Sequence, residues 1–247
     1  MYKGKRIGAI ILARMRSSRL PGKVMLSLNG KPVLQHIVER LNNSKHLDNI
    51  IIATSDDISC LPITNLCHRL NCNVYCGDEE DILDRFTRAS RISNVDIVVR
   101  ITGDCPMVDW RIVDQVIEGY FSDNYDFSTN LVPRTFPVGL AAEVFSTGLL
   151  EYINKEAAGV DRKHITTYIY KTHPERYKIF NLIASKSLHH PEFRVTLDTL
   201  EDYVVLHTLF DILKPGFSAE DIVFKLLESP MLAQVNAKVE KKDWKEG

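Results

Sequence analysis

Apolar residues in the first half of the chain follow two alternating patterns. Residues 7–13, 49–54, 73–76 and 96–101 form short, nearly continuous aliphatic runs. Such runs suit strands buried on both faces. The stretches between them carry apolar residues three and four positions apart. Residues 32–41 do so with Val33, Leu34, Ile37, Val38 and Leu41, and residues 58–70, 81–92 and 110–121 follow the same pattern. These predict amphipathic helices. Strands alternating with helices imply a mostly parallel sheet covered on both faces, an α/β architecture. Right-handed crossovers then gather the strand-to-helix loops at the carboxyl edge of the sheet, where chemistry is expected.

The second half is less regular. Residues 127–130 and 140–145 read as strands around a turn containing Pro133 and Pro137. Residues 147–154 and 162–171 read as helices, and 177–184 and 193–197 as strands. Thr199 followed by Asp202 resembles a capped helix start, with the helix running to residue 213. A last helix is expected over 218–228, and a solvated charged tail over 238–247. No repeat or linker divides the chain, so residues 1–247 are expected to form one domain.

Composition narrows the partners. A net charge of −1 over 247 residues argues against an extended nucleic-acid surface, which needs a basic excess. Anion binding must come from local clusters of cations. The apolar run at 7–13 is too short to cross a membrane. With no signal peptide ahead of it, a cytoplasmic protein is expected. Five cysteines, Cys60, Cys67, Cys72, Cys76 and Cys105, suit a reducing compartment. The first four, with His68 nearby, lack the paired C-x-x-C spacing of a zinc site and read better as buried thiols.

One such cation cluster follows the first strand: Ala13-Arg14-Met15-Arg16-Ser17-Ser18-Arg19-Leu20-Pro21-Gly22-Lys23. Arginines, a lysine and serine hydroxyls on one loop can neutralise a triphosphate. The loop is neither a Walker motif, because Val24 follows Lys23, nor a G-x-G-x-x-G turn. Asp104 follows the strand at 96–101 and precedes Pro106, so its carboxylate belongs at the ligand crevice. There it can hold Mg²⁺, which takes few protein carboxylates together with phosphate oxygens. A turn or helix-cap role remains open for it. Asp198 also ends a short apolar run, and helix capping is its alternative.

These residues resemble the nucleotide-binding signature of CMP-sugar synthetases, in particular the SpsF-like spore-coat polysaccharide cytidylyltransferases. The resemblance rests on A-R-x-x-S-x-R-L-P-G-K and on Gly30-Lys31-Pro32. It continues through the block from Gly77 to Arg85, through Arg100-Ile101-Thr102-Gly103-Asp104-Cys105-Pro106, and through Gly139-Leu140 with Glu143. Asp161-Arg162-Lys163-His164 and Arg194-Val195-Thr196-Leu197-Asp198 with Glu201-Asp202 complete it. It implies a Rossmann-like nucleotide-diphosphosugar transferase fold (GT-A-like, three layers, mostly parallel central sheet). The implied reaction is transfer of CMP from CTP to a sugar acid, with release of pyrophosphate, for polysaccharide biosynthesis.

By the same resemblance, Arg14 and Lys23 contact the CTP phosphates, while Ala13, Arg16, Ser17 and Arg19 shape the loop. Arg85 and Thr102 lie by the nucleotide, and Asp104 and Asp198 hold Mg²⁺. Read from its residues alone, Arg85 could equally make a surface ion pair. Glu143, Arg162 and His164 are candidates for a small anionic acceptor. Relatives often carry Asp-Gly-Leu-Asp where this chain has Val138-Gly139-Leu140-Ala141, so the acceptor is expected to be smaller, less polar or more anionic. A phosphorylated acceptor, a glycosyltransferase and a nucleotide sensor stay open. A glycosyltransferase usually has a D-x-D pair, and Asp104-Cys105-Pro106 lacks the second acid. A homodimer through residues 130–190 is also implied.

Overall fold

In the computed structural model, which describes residues 1–240, one sheet of seven strands runs through the molecule. Its strands are β1 (Ile7–Leu12), β4 (Asn49–Ser55), β5 (Asn73–Gly77), β6 (Ile97–Thr102), β7 (Phe127–Thr129), β8 (Glu143–Ser146) and β9 (Ile179–Asn181). Their order is β5-β4-β1-β6-β8-β7-β9. The first four strands are mutually parallel, β8 is antiparallel to both neighbours, and β9 is parallel to β7. The strand order reverses between β1 and β6, so a crevice opens at the carboxyl ends of those two strands.

Helices cover both faces: α1 (Val33–Leu41), α2 (Leu61–Leu70), α3 (Ile82–Ile92), α4 (Trp110–Tyr120) and α5 (Thr147–Glu156), then α6 (Leu200–Ile212), α7 (Ala219–Glu228) and α8 (Pro230–Val235). On one face Leu34, Ile37 and Val38 pack with Val113, Val116, Leu206 and Leu209; on the other Leu83 and Phe86 pack with Phe127, Phe145 and Ile153. A small hairpin, β2 (Ser27–Leu28) with β3 (Lys31–Pro32), precedes α1. Asn29 and Gly30 both have positive φ at its turn, as a two-residue hairpin of type I′ needs.

The alternating first half matches the periodicity closely, and the later segments depart from it. Residues 162–171 do not form one helix: a 3₁₀ turn at Gly159–Arg162 is followed by a π turn at Tyr168–Thr172. Asp161 accepts hydrogen bonds from the hydroxyls of Thr167 at 2.8 Å and Thr172 at 3.0 Å, and these side-chain bonds compete with a regular helical ladder. Residues 193–197 join no ladder and instead touch residue 138 through a single parallel bridge. β8 starts at Glu143 rather than 140, because Gly139 turns the chain at φ +112°. Cys76 is exposed rather than buried, since β5 is the sheet's edge strand; Cys60, Cys67 and Cys105 are buried. The hairpin and α8 were not legible from periodicity. Of the expected tail, residues 241–247 lie outside the described residues.

Candidate active site

Two loops meet where the strand order reverses. The first leaves β1 and runs from Ala13 to the 3₁₀ turn at Lys23–Met25. Ala13 is buried and its N–H donates to the Ala53 carbonyl at 3.2 Å. The loop is folded on itself by Ser17 N–H and Gly22 N–H, which donate to the Met15 carbonyl at 3.1 and 2.8 Å. Arg14, Arg16 and Ser17 line an open cleft of about 680 Å³. Arg16 ties the loop to the facing loops through Asp57 at 2.9 Å and Glu79 at 3.2 Å. Arg14 is exposed, with no hydrogen bond or ion pair among the described residues.

The second loop leaves β6. A Cβ on Gly103 would lie 2.6 Å from the Leu12 carbonyl oxygen, so only glycine lets the two loops approach. Thr102 makes a 3.0 Å contact through its hydroxyl with Cys105 Sγ. Asp104 does not cap a helix; Asp109 caps α4, accepting from the Arg111 N–H at 2.9 Å. The Asp104 carboxylate instead accepts a 2.6 Å hydrogen bond from Lys23 Nζ.

Asp198 reaches the same ammonium, at 2.8 Å, along a path that periodicity did not reveal. The segment before it is threaded between two backbones. Val195 N–H donates to the Val138 carbonyl at 2.7 Å, and Leu197 N–H to the Asp104 carbonyl at 2.8 Å. Thr199 and Asp202 form the capping box of α6, so Asp198 is released from capping. Its carboxylate also pairs with Arg19 at 2.9 Å and Arg194 at 2.5 Å. Arg194 is in turn held by Asp202 at 2.8 Å, and Asn236 donates to Asp202 at 2.9 Å.

Charges at this junction reinforce one another. Burial alone would lower the Lys23 pKa, but Asp104 and Asp198 outweigh it and raise it above the ordinary lysine value. Burial would likewise raise Asp198, but Lys23, Arg19 and Arg194 hold it below the usual carboxylate range. Both groups are therefore charged at neutral pH. Two hard carboxylates converging on one cation are a donor set that suits Mg²⁺, which prefers oxygen ligands; Lys23 Nζ already marks the point they share.

The remaining candidates are placed in different ways. Arg85 lies on α3, is 2% exposed, and donates to the carbonyls of Asp78 at 2.6 Å and Glu79 at 3.2 Å. Among the described residues it makes no surface ion pair, and it supports the loop after β5 from beneath. Arg162 is engaged by Asp81 at 2.6 Å and by Asn154 and the Ala157 carbonyl. Glu143, on β8, is buried against Arg100 of β6 in a close ion pair. His164 Nε2 is buried without a hydrogen-bond partner among the described residues. Its imidazole is pushed down by burial and by the positive charges of Arg100 and Lys171. Arg194 and Asn236, which orient Asp198, were missed as site residues. Arg194 lies four positions before Asp198 in a stretch with no regular pattern to mark it, and Asn236 reaches Arg194 and Asp202 across 34 to 42 positions of chain, which no local pattern encodes.

A sheet of this order, with the charged loops gathered at its switch point, is that of a nucleotidyltransferase of the nucleotide-diphosphosugar transferase type. The chain belongs to the cytidylyltransferase family, whose sequence pattern matches residues 8–242. It is 36% identical over 245 residues to an uncharacterised protein of Methanocaldococcus jannaschii, covering 98% of each chain. It is 34% identical over 229 residues to the spore coat polysaccharide biosynthesis protein SpsF of Bacillus subtilis, covering 90% of this chain and 94% of that one. Among solved structures it superimposes on a cytidylyltransferase from Leptospira borgpetersenii with a TM-score of 0.87 and 30% identity, over 97% of this chain and 99% of that one. Among the described residues no helix is long and apolar enough to cross a membrane.

Proposed function

We propose that this cytidylyltransferase transfers CMP from CTP to a sugar acid, releasing pyrophosphate and supplying an activated sugar for polysaccharide assembly. The observation that carries the reading is the convergence of Asp104 and Asp198 on Lys23 Nζ beside the cationic loop after β1. An acceptor hydroxyl oxygen attacks the α-phosphorus of CTP, the bond to the β-phosphate oxygen breaks, and the hydroxyl proton passes to solvent. Arg14, free at the cleft, and Lys23 supply positive charge to the triphosphate, where charge-assisted contacts stabilise the departing pyrophosphate. Arg16 and Arg19 hold the loop in shape, through Asp57 and Glu79 and through Asp198. Asp104 and Asp198 would hold Mg²⁺, which would supply Lewis-acid neutralisation of phosphate charge. No covalent enzyme intermediate is required, because positioning and electrostatics carry phosphoryl-group chemistry of this kind.

The test is pyrophosphate release with Mg²⁺ and each of the four nucleoside triphosphates, across keto sugar acids, sugar phosphates and small phosphorylated acceptors. Release with CTP and a sugar acid, abolished by Asp104→Ala, is the expected result. CTP binding without turnover of any acceptor would point to a nucleotide sensor instead.

A further inference from the structure

Beyond the junction that would take the triphosphate lies a second polar cluster, which the reaction as described leaves unused. It centres on Arg100, Arg134, Glu143, His164 and Tyr170. Three of the six buried side-chain atoms that lack any partner among the described residues belong to it: Arg100 Nε, Glu143 Oε1 and His164 Nε2. Orphaned buried polar atoms are uncommon in a folded protein, because each costs the desolvation of its group. Three in one cluster mark a place that a polar ligand completes.

The charges of the cluster act on one another. Tyr170 feels Glu143, Arg100 and Arg134, and Arg134 feels Cys105, Glu143, Tyr170 and Arg194. The cluster adjoins the reacting site, because Cys105 follows Asp104 in the chain and Arg100 feels the Asp104 charge. Arg100 and Glu143 neutralise each other in their ion pair. Arg194 is satisfied by Asp198 and Asp202. Arg134 is different: it is only partly exposed, yet its guanidinium has no hydrogen bond or ion pair among the described residues. Burial pushes its pKa down from the ordinary arginine value, outweighing the nearby charge of Glu143, as expected of a cation that has lost water without a directly paired anion.

We propose that Arg134 is the residue that reads the acceptor's negative charge, pairing its guanidinium with an oxyanion of the acceptor while Glu143 Oε1 accepts from an acceptor hydroxyl. This rests on the cytidylyltransferase reading and adds to it the group that selects an anionic acceptor. A planar guanidinium fork suits the two oxygens of a carboxylate and of a phosphate monoester alike. It offers nothing comparable to a neutral sugar. The position lies in the loop after β7, so the acceptor's anion would sit on the β7–β8 side of the crevice and the nucleotide on the β1 side.

The experiment uses the full chain with CTP and three matched acceptors: a keto sugar acid, its neutral methyl ester, and a sugar phosphate. Pyrophosphate release yields kcat and the acceptor KM, and calorimetry yields CTP affinity. Arg134→Ala should lower kcat/KM for the anionic acceptor by about 10- to 100-fold, the worth of a hydrogen bond to a charged group. Its CTP affinity should stay within threefold of wild type, and Arg134→Lys should recover part of the loss. The wild-type preference for the acid over its ester should collapse in the alanine variant. Whichever anionic acceptor suffers the loss identifies carboxylate or phosphate as the group read. Wild-type turnover that Arg134→Ala leaves within threefold overturns the assignment alone, as does an equal loss of CTP affinity. No turnover by wild type with any acceptor overturns the cytidylyltransferase reading and this assignment with it.

Discussion

Lys23 sits between two carboxylates that would otherwise repel each other, and it also faces the site where a triphosphate would bind. Removing its ammonium takes the counter-charge from Asp104, leaves Asp198 to Arg19 and Arg194 alone, and takes a cation from the phosphates. Lys23→Ala should therefore lower kcat by about 10²- to 10³-fold, as loss of one transition-state donor does, measured by pyrophosphate release. Asp104 and Asp198 can be examined apart from turnover. Mn²⁺ added to the enzyme with CTP should give a protein-bound electron paramagnetic resonance signal, and Asp104→Asn and Asp198→Asn should each weaken it. An unchanged signal in both variants would remove these residues from the metal site. Part of this was legible in the sequence. Lys23 and Asp104 follow buried strands in an alternating pattern, and that pattern alone sends both to one edge of the sheet. Arg134 was not legible, because an arginine in a Pro-rich loop carries no sign that the fold will leave it half-buried and unpaired.

At the scale of elements, the segment between β7 and α6 does what regular structure does elsewhere. Gly139 has φ +112°, and a Cβ there would lie 2.6 Å from the Val195 carbonyl. Gly139→Ala meets both backbone strain and a clash with main chain, so it should destabilise the fold by about 2 kcal/mol or more, read from urea unfolding. The contact it would disturb holds Val195 against Val138, two residues before Leu197 meets the Asp104 loop, so activity should fall with stability. The Asp198 network adds a dependence on pH. Its pKa is depressed in the folded protein, so its contribution to stability is complete above the unfolded carboxylate value of about 4. That contribution is lost as pH falls through the lower folded value. The gap in unfolding free energy between wild type and Asp198→Asn should thus stay level from pH 7 to about 5 and narrow towards pH 3. A gap that widened on acidification would contradict the network.

At the scale of the whole molecule, the seven-stranded sheet divides the work between its two halves. The parallel strands β5, β4, β1 and β6 would deliver the nucleotide loops, and the mixed strands β8, β7 and β9 carry Glu143 and the loop of Arg134. The arrangement separates the group that would be transferred from the group that would receive it across a single crevice. A homodimer through residues 130–190 is a further expectation. Sedimentation of the full chain should give twice the monomer mass, and substitution of the exposed Ile183 by Asp should shift it towards monomer. A monomer at micromolar concentration in the unsubstituted chain would exclude that arrangement.

The amino-acid sequence by itself determined the α/β class, the order of elements through α4 apart from the β2–β3 hairpin, and the loops at the sheet's carboxyl edge. Those features depend on local periodicity and on the handedness of crossovers, both of which act over a few tens of residues. Tertiary structure alone decided that Asp198 meets Lys23 from 175 positions away, that Arg85 is buried rather than exposed on its helix, and that Arg134 has no partner among the described residues. Each depends on which residues distant in the chain arrive alongside and on which charges they bring. Burial and counter-charge are properties of that assembled environment, and a side chain's identity carries neither.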